Sequence, residues 1–167
     1  EKKRQEEAIC RQLWTLPQVK QATILLAYIG INHEIDTLPF LRAWLSCGKH
    51  LLLPKVEDDH RLTLYHIRNL DADLRPGFRS ILEPIDERCV VWKEAIDIIL
   101  VPGMAFTRSG RRLGQGKGYY DRLLPLYPDA LKLAGALTPQ LLETLPIEEH
   151  DQPIDIVVTP HEIIYCQ

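Results

Sequence analysis

The sequence predicts an α/β domain with a mainly parallel sheet, and three observations carry that expectation. Short apolar runs rich in strand formers alternate with amphipathic, helix-like segments. Most of those runs are apolar throughout rather than alternating, as strands buried on both faces are. The chain has 167 residues, with no repeat, no low-complexity tract and no linker, which predicts one domain spanning 1–167.

Residues 1–14 read as a helix, with Ile9 and Leu13 one turn apart. "ATILLAYIG" (22–30) is the first strand, stopped by Gly30. "DTLPFLRAWLSCG" (36–48) reads as a helix capped by Asp36 or Thr37, with Pro39 in its first turn and Gly48 at its end. "KHLLLPKV" (49–56) is a second buried strand. "RLTLYHIR" (61–68) alternates and so predicts a half-exposed strand at an edge. The polar stretch 69–87 reads as an irregular excursion. "AIDIILVPG" (95–103) is a third buried strand. A helix follows from about Gly116, with Tyr120, Leu123, Leu124 and Tyr127 on one face, closed by Pro125 and Pro128. "LKLAGAL" (131–137) is a fourth strand, 138–145 a short helix and "IDIVVTP" (154–160) a fifth strand; "EIIYC" adds a last one.

Composition excludes several classes. The formal net charge of -3 argues against a general nucleic-acid binder. No apolar run approaches the roughly 20 residues of a membrane span. The start, "EKKRQEEAICRQLW", is charged and unlike a signal peptide, and it has no initiator Met. The four cysteines lie far apart and form no metal-binding spacing, as expected of reduced thiols in a cytoplasmic protein. Among the six histidines only His33 has suggestive company, in Glu34 and Asp36, and it reads as a surface-loop residue.

The chemistry concentrates in "GRRLGQGKGYYDRLL" (110–124), at the carboxyl end of the third buried strand. Parallel sheets bind ligands along that edge. Gly114, Gly116 and Gly118 let the backbone approach a ligand closely. The first turn of the next helix offers unpaired N–H groups. Arg111, Arg112 and Lys117 add full positive charge. The pattern is neither Walker A, since Gly118 follows Lys117, nor the dinucleotide fingerprint, since Tyr119 takes the place of the third glycine. The expected ligand is a phosphate. Asp121 reads either as a surface partner of Arg112 or Arg122, or as a ligand of phosphate-bound Mg²⁺. Asp155 reads either as a second such ligand or as a strand-entry turn residue.

The stretch "VPGMAFTRSGRRLGQGKGYYDRLL" resembles the signature of the 5-formyltetrahydrofolate cyclo-ligase family, also called methenyltetrahydrofolate synthetases. "LLAYIGINHEIDTLPFLRAWLSCGKHLLLPKV", "ILEP" and "IDIVVTP" share the family's character and order, so the resemblance covers most of the chain. It implies a three-layer α/β/α, Rossmann-like fold and an ATP- and Mg²⁺-dependent enzyme that converts 5-formyltetrahydrofolate to 5,10-methenyltetrahydrofolate. By the resemblance, Arg112, Gly114, Gln115, Gly116, Lys117, Gly118 and Tyr119 would hold ATP. Arg112, Lys117, Tyr119 and Tyr120 would carry the reaction, and Asp121 and Asp155 would hold Mg²⁺. Ile29 and Glu34, with Tyr119 and Tyr120, would contact the folate. The expected partners are small molecules, with no nucleic acid or membrane, and the expected state is a monomer. Two features depart from the family. A Lys/Arg pair from an N-terminal helix is not clearly represented, so the chain is expected to lack its N-terminal segment. Thr107 stands where an Asp is usual. A non-catalytic nucleotide- or folate-binding relative on the same fold is the second reading.

Overall fold

A computed structural model describes residues 1–57, 61–114, 118–146 and 152–166. The chain begins with α1 (Lys2–Thr15), whose Ile9 and Leu13 are fully buried. Leu16 precedes Pro17 and is therefore extended, which separates α1 from the short α2 (Pro17–Gln21). The elements β1 (Ile24–Leu26), α3 (Leu38–Ser46) and β2 (His50–Val56) follow in the expected order. Next come β3 (Leu62–Ile67), β4 (Leu74–Pro76), β5 (Leu82–Pro84), β6 (Val90–Val91), β7 (Ile98–Leu100), β8 (Ala105–Phe106) and β9 (Arg112–Leu113). The last elements are α4 (Tyr119–Leu123), β10 (Leu131–Gly135), β11 (Ile156–Val158) and β12 (Ile163–Tyr165).

Eight of these strands form one sheet in the order β12-β11-β10-β7-β1-β2-β3-β6. Its centre is parallel: β1 pairs with β2 and β7, and β10 pairs with β7 and β11. The antiparallel strands β3, β6 and β12 lie at the flanks. On one face, α1, α2 and α3 cover a core built from Ile9, Leu13, Val19, Leu41, Trp44 and their neighbours. On the other, α4 and irregular segments cover Leu26, Leu52, Ile99, Phe106 and Val157. The result is three-layered but lopsided.

Four local expectations change. The region 69–87 is not wholly irregular, because β4 and β5 pair within it; each strand has three residues and ends in proline, which hid it from pattern reading. The strand 61–68 is one place in from the edge, since β6 pairs with its outer side. The segment 138–145 is not a helix but a 3-10 turn, Thr138–Gln140, after which Leu141 is extended and bridges to Phe106. Finally, α4 is only five residues long, because Pro125 converts its end into a 3-10 turn over Leu124–Leu126. Its apolar face nevertheless packs as expected, with Leu123 and Leu124 buried and Tyr120 and Tyr127 against them.

Candidate active site

From β1 the sheet is built outward in two directions, toward β2 on one side and toward β7, β10 and β11 on the other. That makes the β1–β7 boundary a switch point, and a crevice opens outside the carboxyl ends of strands placed this way. Two loops converge there.

The first loop follows β1. Gly30 is obligatory in it, because a Cβ would sit 1.7 Å from the Ile35 carbonyl oxygen. The Thr37 hydroxyl donates to the Tyr28 carbonyl at 2.6 Å and accepts from Gly30 N–H at 3.2 Å. The chain thus folds back tightly and carries Glu34 into a buried position, 7% exposed. Glu34 Oε1 accepts one hydrogen bond, from Ile31 N–H at 3.1 Å. Burial pushes its carboxyl up, against the opposing pull of that bond and of His33. Ile29 is half-buried against the core beside it, and His33 is exposed in the turn.

The second loop follows β7. Its hairpin, β8–β9, is closed by Thr107, which is buried and accepts from Arg111 N–H at 3.0 Å. The same hydroxyl pairs with Ser109 Oγ at 2.9 Å. Thr107 is therefore occupied in shaping the turn. Arg112 leaves this hairpin with its side chain only 7% exposed. Its guanidinium donates to the Pro102 carbonyl at 3.0 Å and to Asp121 Oδ1 at 3.4 Å, and lies 5.9 Å from the centre of the Tyr120 ring. Its Nε is buried with no partner among the described residues. Gly114 makes room for this guanidinium, since a Cβ there would lie 2.8 Å from it. Gly118 turns the chain into α4 with φ of 72°, and Arg122 stacks 5.7 Å from the Tyr119 ring centre.

The two loops share one electrostatic environment. Burial holds the Tyr120 phenol far above its usual range, with Arg112 pulling down and Glu34 pushing up. The Tyr28 phenol is raised for the same reason, and it feels Glu34 and Tyr120 as well. Both phenols therefore stay protonated and can donate. Tyr28 was missed as a site residue by sequence reading; at the end of a hydrophobic strand it looks like core.

The structure thus brings Glu34, Arg112, Tyr120 and Asp121 together. Gln115, Gly116 and Lys117 lie outside the described residues. Asp155 is a correction. It opens β11 at the amino edge, where its Oδ2 accepts from Lys132 N–H at 2.8 Å. Arg112, and with it Asp121, is anchored to Pro102, beyond the carboxyl end of β7. In register, Asp155 lies level with Ile99, three residues short of Pro102 and two strands to the side, which is ~10 Å along the sheet and ~10 Å across it. Mg²⁺ binds oxygen at about 2.1 Å, so the two aspartates cannot share one ion. The short α4 corrects a second expectation: its dipole is small, so positive field here comes chiefly from side chains. Among the described residues no three His, Cys, Asp or Glu side chains gather to hold a metal.

Residues 1–160 match the 5-formyltetrahydrofolate cyclo-ligase family, and the chain belongs to it. The chain is 35% identical to the mitochondrial 5-formyltetrahydrofolate cyclo-ligase of Arabidopsis thaliana, over 96% of this chain and 67% of that one. It is 31% identical to the 5-formyltetrahydrofolate cyclo-ligase of Escherichia coli K12, over 91% and 86%. The NMR structure of Aquifex aeolicus 5,10-methenyltetrahydrofolate synthetase superposes with a TM-score of 0.83 at 37% identity, covering 97% of this chain and 81% of that one. No helix among the described residues is long and apolar enough to cross a membrane.

Proposed function

We propose that this protein converts 5-formyltetrahydrofolate to 5,10-methenyltetrahydrofolate, with ATP cleaved to ADP and phosphate. The observation that carries the reading is Arg112, a buried guanidinium whose Nε–H has no partner among the described residues and which acts on Tyr120 together with Glu34 at the switch point. A buried cation with spare donor capacity beside glycines suits an incoming phosphate.

The formyl oxygen is a weak nucleophile, and hydroxide would be a hopeless leaving group. Attack of that oxygen on the γ-phosphorus of ATP releases ADP and leaves a phosphorylated formyl group. N10 then attacks the formyl carbon, loses its proton, and phosphate departs with the carbon–oxygen bond. Phosphoryl transfer of this kind requires alignment and charge neutralisation more than a protein nucleophile. Arg112 and Lys117 neutralise charge on the phosphates. Gly114, Gln115, Gly116, Gly118 and Tyr119 give the nucleotide a close backbone cradle. Glu34 accepts hydrogen bonds from pterin N–H groups, which its burial makes worthwhile, and Ile29 packs on the ring. Tyr119 and Tyr120 border the reacting groups, and the protonated Tyr120 phenol donates.

Mg²⁺ fits this site in one way. Asp121 would supply a carboxylate to it, an ion that commonly takes one or two protein carboxylates together with substrate phosphate oxygens. Bound there, the ion would offset negative charge on the phosphates. The reading is tested by following the methenyl product spectrophotometrically with ATP and 5-formyltetrahydrofolate. ATP-dependent product supports it; tight binding of both ligands without product would make the protein a non-catalytic binder.

A further inference from the structure

The geometry points to Gln140 as a positioning residue that acts on the proposed reaction through Arg112; this rests on the functional reading above. Gln140 is a buried polar side chain, 6% exposed, outside the glycine loop and distant from it in sequence. Its Oε1 accepts from Leu137 N–H at 2.9 Å. Its Nε2 donates to the Gly103 carbonyl at 3.1 Å and lies 3.5 Å from the Met104 carbonyl. One amide therefore bolts the segment after β10 to the turn between β7 and β8. The neighbouring backbone reinforces the bolt, since Leu142 N–H donates to the Phe106 carbonyl at 2.8 Å.

That turn is the seat of Arg112. Pro102, the residue before Gly103, supplies the carbonyl that receives the guanidinium at 3.0 Å. Gly103 lies flush against the Arg112 stem, where an added Cβ would stand 3.0 Å from its Cγ and 2.8 Å from Phe106. Met104 N–H donates to the Leu113 carbonyl at 2.7 Å, tying the turn to the residue after Arg112. If the turn moves, the arginine anchor moves with it. Small misplacements of a charge-bearing group are costly when catalysis depends on alignment. Glutamine suits the position because it donates and accepts from one planar group. A methionine of similar volume would leave the Gly103 carbonyl and the Leu137 N–H unpaired in a buried place.

The test is a double-mutant cycle on the full chain with Gln140→Met and Arg112→Ala, read as kcat and as KM for each substrate. Gln140→Glu serves as a second probe. It keeps the acceptor for Leu137 N–H but turns a carboxylate oxygen toward the turn carbonyls. All proteins are assayed well below their own melting temperatures. Each Gln140 variant should lose turnover about tenfold or more and bind ATP more weakly, with the folate KM unchanged. In the Arg112→Ala background the same substitution should cost almost nothing further. An equal fold-loss in both backgrounds would overturn the proposal, as would a matched rise in both KM values, or failure of both Gln140 variants to fold. Absence of product from the unsubstituted protein would instead count against the functional reading. The cycle is then read as ATP affinity by calorimetry, which tests the Gln140–Arg112 coupling without turnover.

Discussion

Asp97 and Glu34 both flank the central strand β1, at opposite ends, and their surroundings differ in kind. Asp97 sits at the amino edge, where one carboxylate oxygen accepts from Thr23 N–H, Ile24 N–H and the Thr23 hydroxyl. Partial burial pushes its carboxyl up, but those bonds outweigh it and hold the group below the usual range. Glu34 sits at the carboxyl edge, buried, with a single hydrogen bond among the described residues, and burial holds it above its usual range. Asp155, like Asp97, accepts from backbone, at Lys132 N–H, and Arg112, like Glu34, keeps hydrogen-bonding capacity in reserve, since its Nε has no partner among the described residues. A hollow of about 600 Å³ does open at the amino edge, walled by Asp97, Asp129 and Asp155. Among the described residues no cationic side chain lines it, and two of its carboxylates are already committed to backbone. Saturated polar groups hold a fold together, and under-satisfied buried ones mark where a ligand is to complete the set.

The largest loss is expected at Arg112. Arg112→Ala should lower turnover by about 10²–10³-fold, the scale of removing one preorganised charge-stabilising donor. Steady-state kinetics on the folded variant checks this, and a loss under threefold would move the chemistry elsewhere. Gly114→Val comes next. Its side chain would push on the guanidinium, so turnover should fall by at least tenfold while the circular dichroism spectrum stays unchanged.

In Glu34→Gln, function and stability should part company. Folate affinity should fall about tenfold, the order of one charge-assisted hydrogen bond, and ATP affinity should hold. A carboxyl raised in the folded state is protonated there before it is in the unfolded chain. Its contribution is complete below the unfolded value and declines as pH rises through the folded one. Glu34→Gln should therefore flatten that decline and leave the unliganded protein no less stable at neutral pH, as thermal melts across pH would register.

Asp97→Asn should do the reverse. It should cost about 1–2 kcal/mol at neutral pH, a charge-assisted value discounted for exposure, with turnover unchanged. The Asp97 carboxyl is lowered in the folded state. Its stabilisation is present above the unfolded value and is lost as pH falls through the folded one, so variant and parent should converge in acid.

Much of this layout was legible in the sequence, for identifiable reasons. Long apolar runs such as 95–101 and 131–135 marked β7 and β10, because strands buried on both faces permit no alternation. Glycines interleaved with basic residues marked the loop that leads into α4, because few other needs combine bare backbone with charge, whereas the two-residue strands β8 and β9 within it were too short to show a pattern. The placement of Asp155 was not legible. Position before an apolar run fixes a residue at a strand start, and in a parallel sheet that is the edge away from the ligand crevice; residue type alone left the metal-ligand and turn readings of Asp155 both open. Gln140 escaped because it lies in a segment that read as helix, whereas Pro139 and the Leu141–Phe106 bridge keep that segment to one 3-10 turn. Tyr28 escaped because nothing local separates a strand-end tyrosine in a crevice from one in a core.

The contrast between edges is tested most directly by the Mg²⁺ dependence of turnover in Asp121→Asn and Asp155→Asn. Asp121 lies with Arg112 at the crevice, whereas Asp155 is held to Lys132 on the far edge. Asp121→Asn should shift the Mg²⁺ curve to higher concentration and lower its plateau, while the Asp155→Asn curve should superimpose on that of the parent protein. A curve for Asp155→Asn displaced as far as that of Asp121→Asn would contradict that contrast.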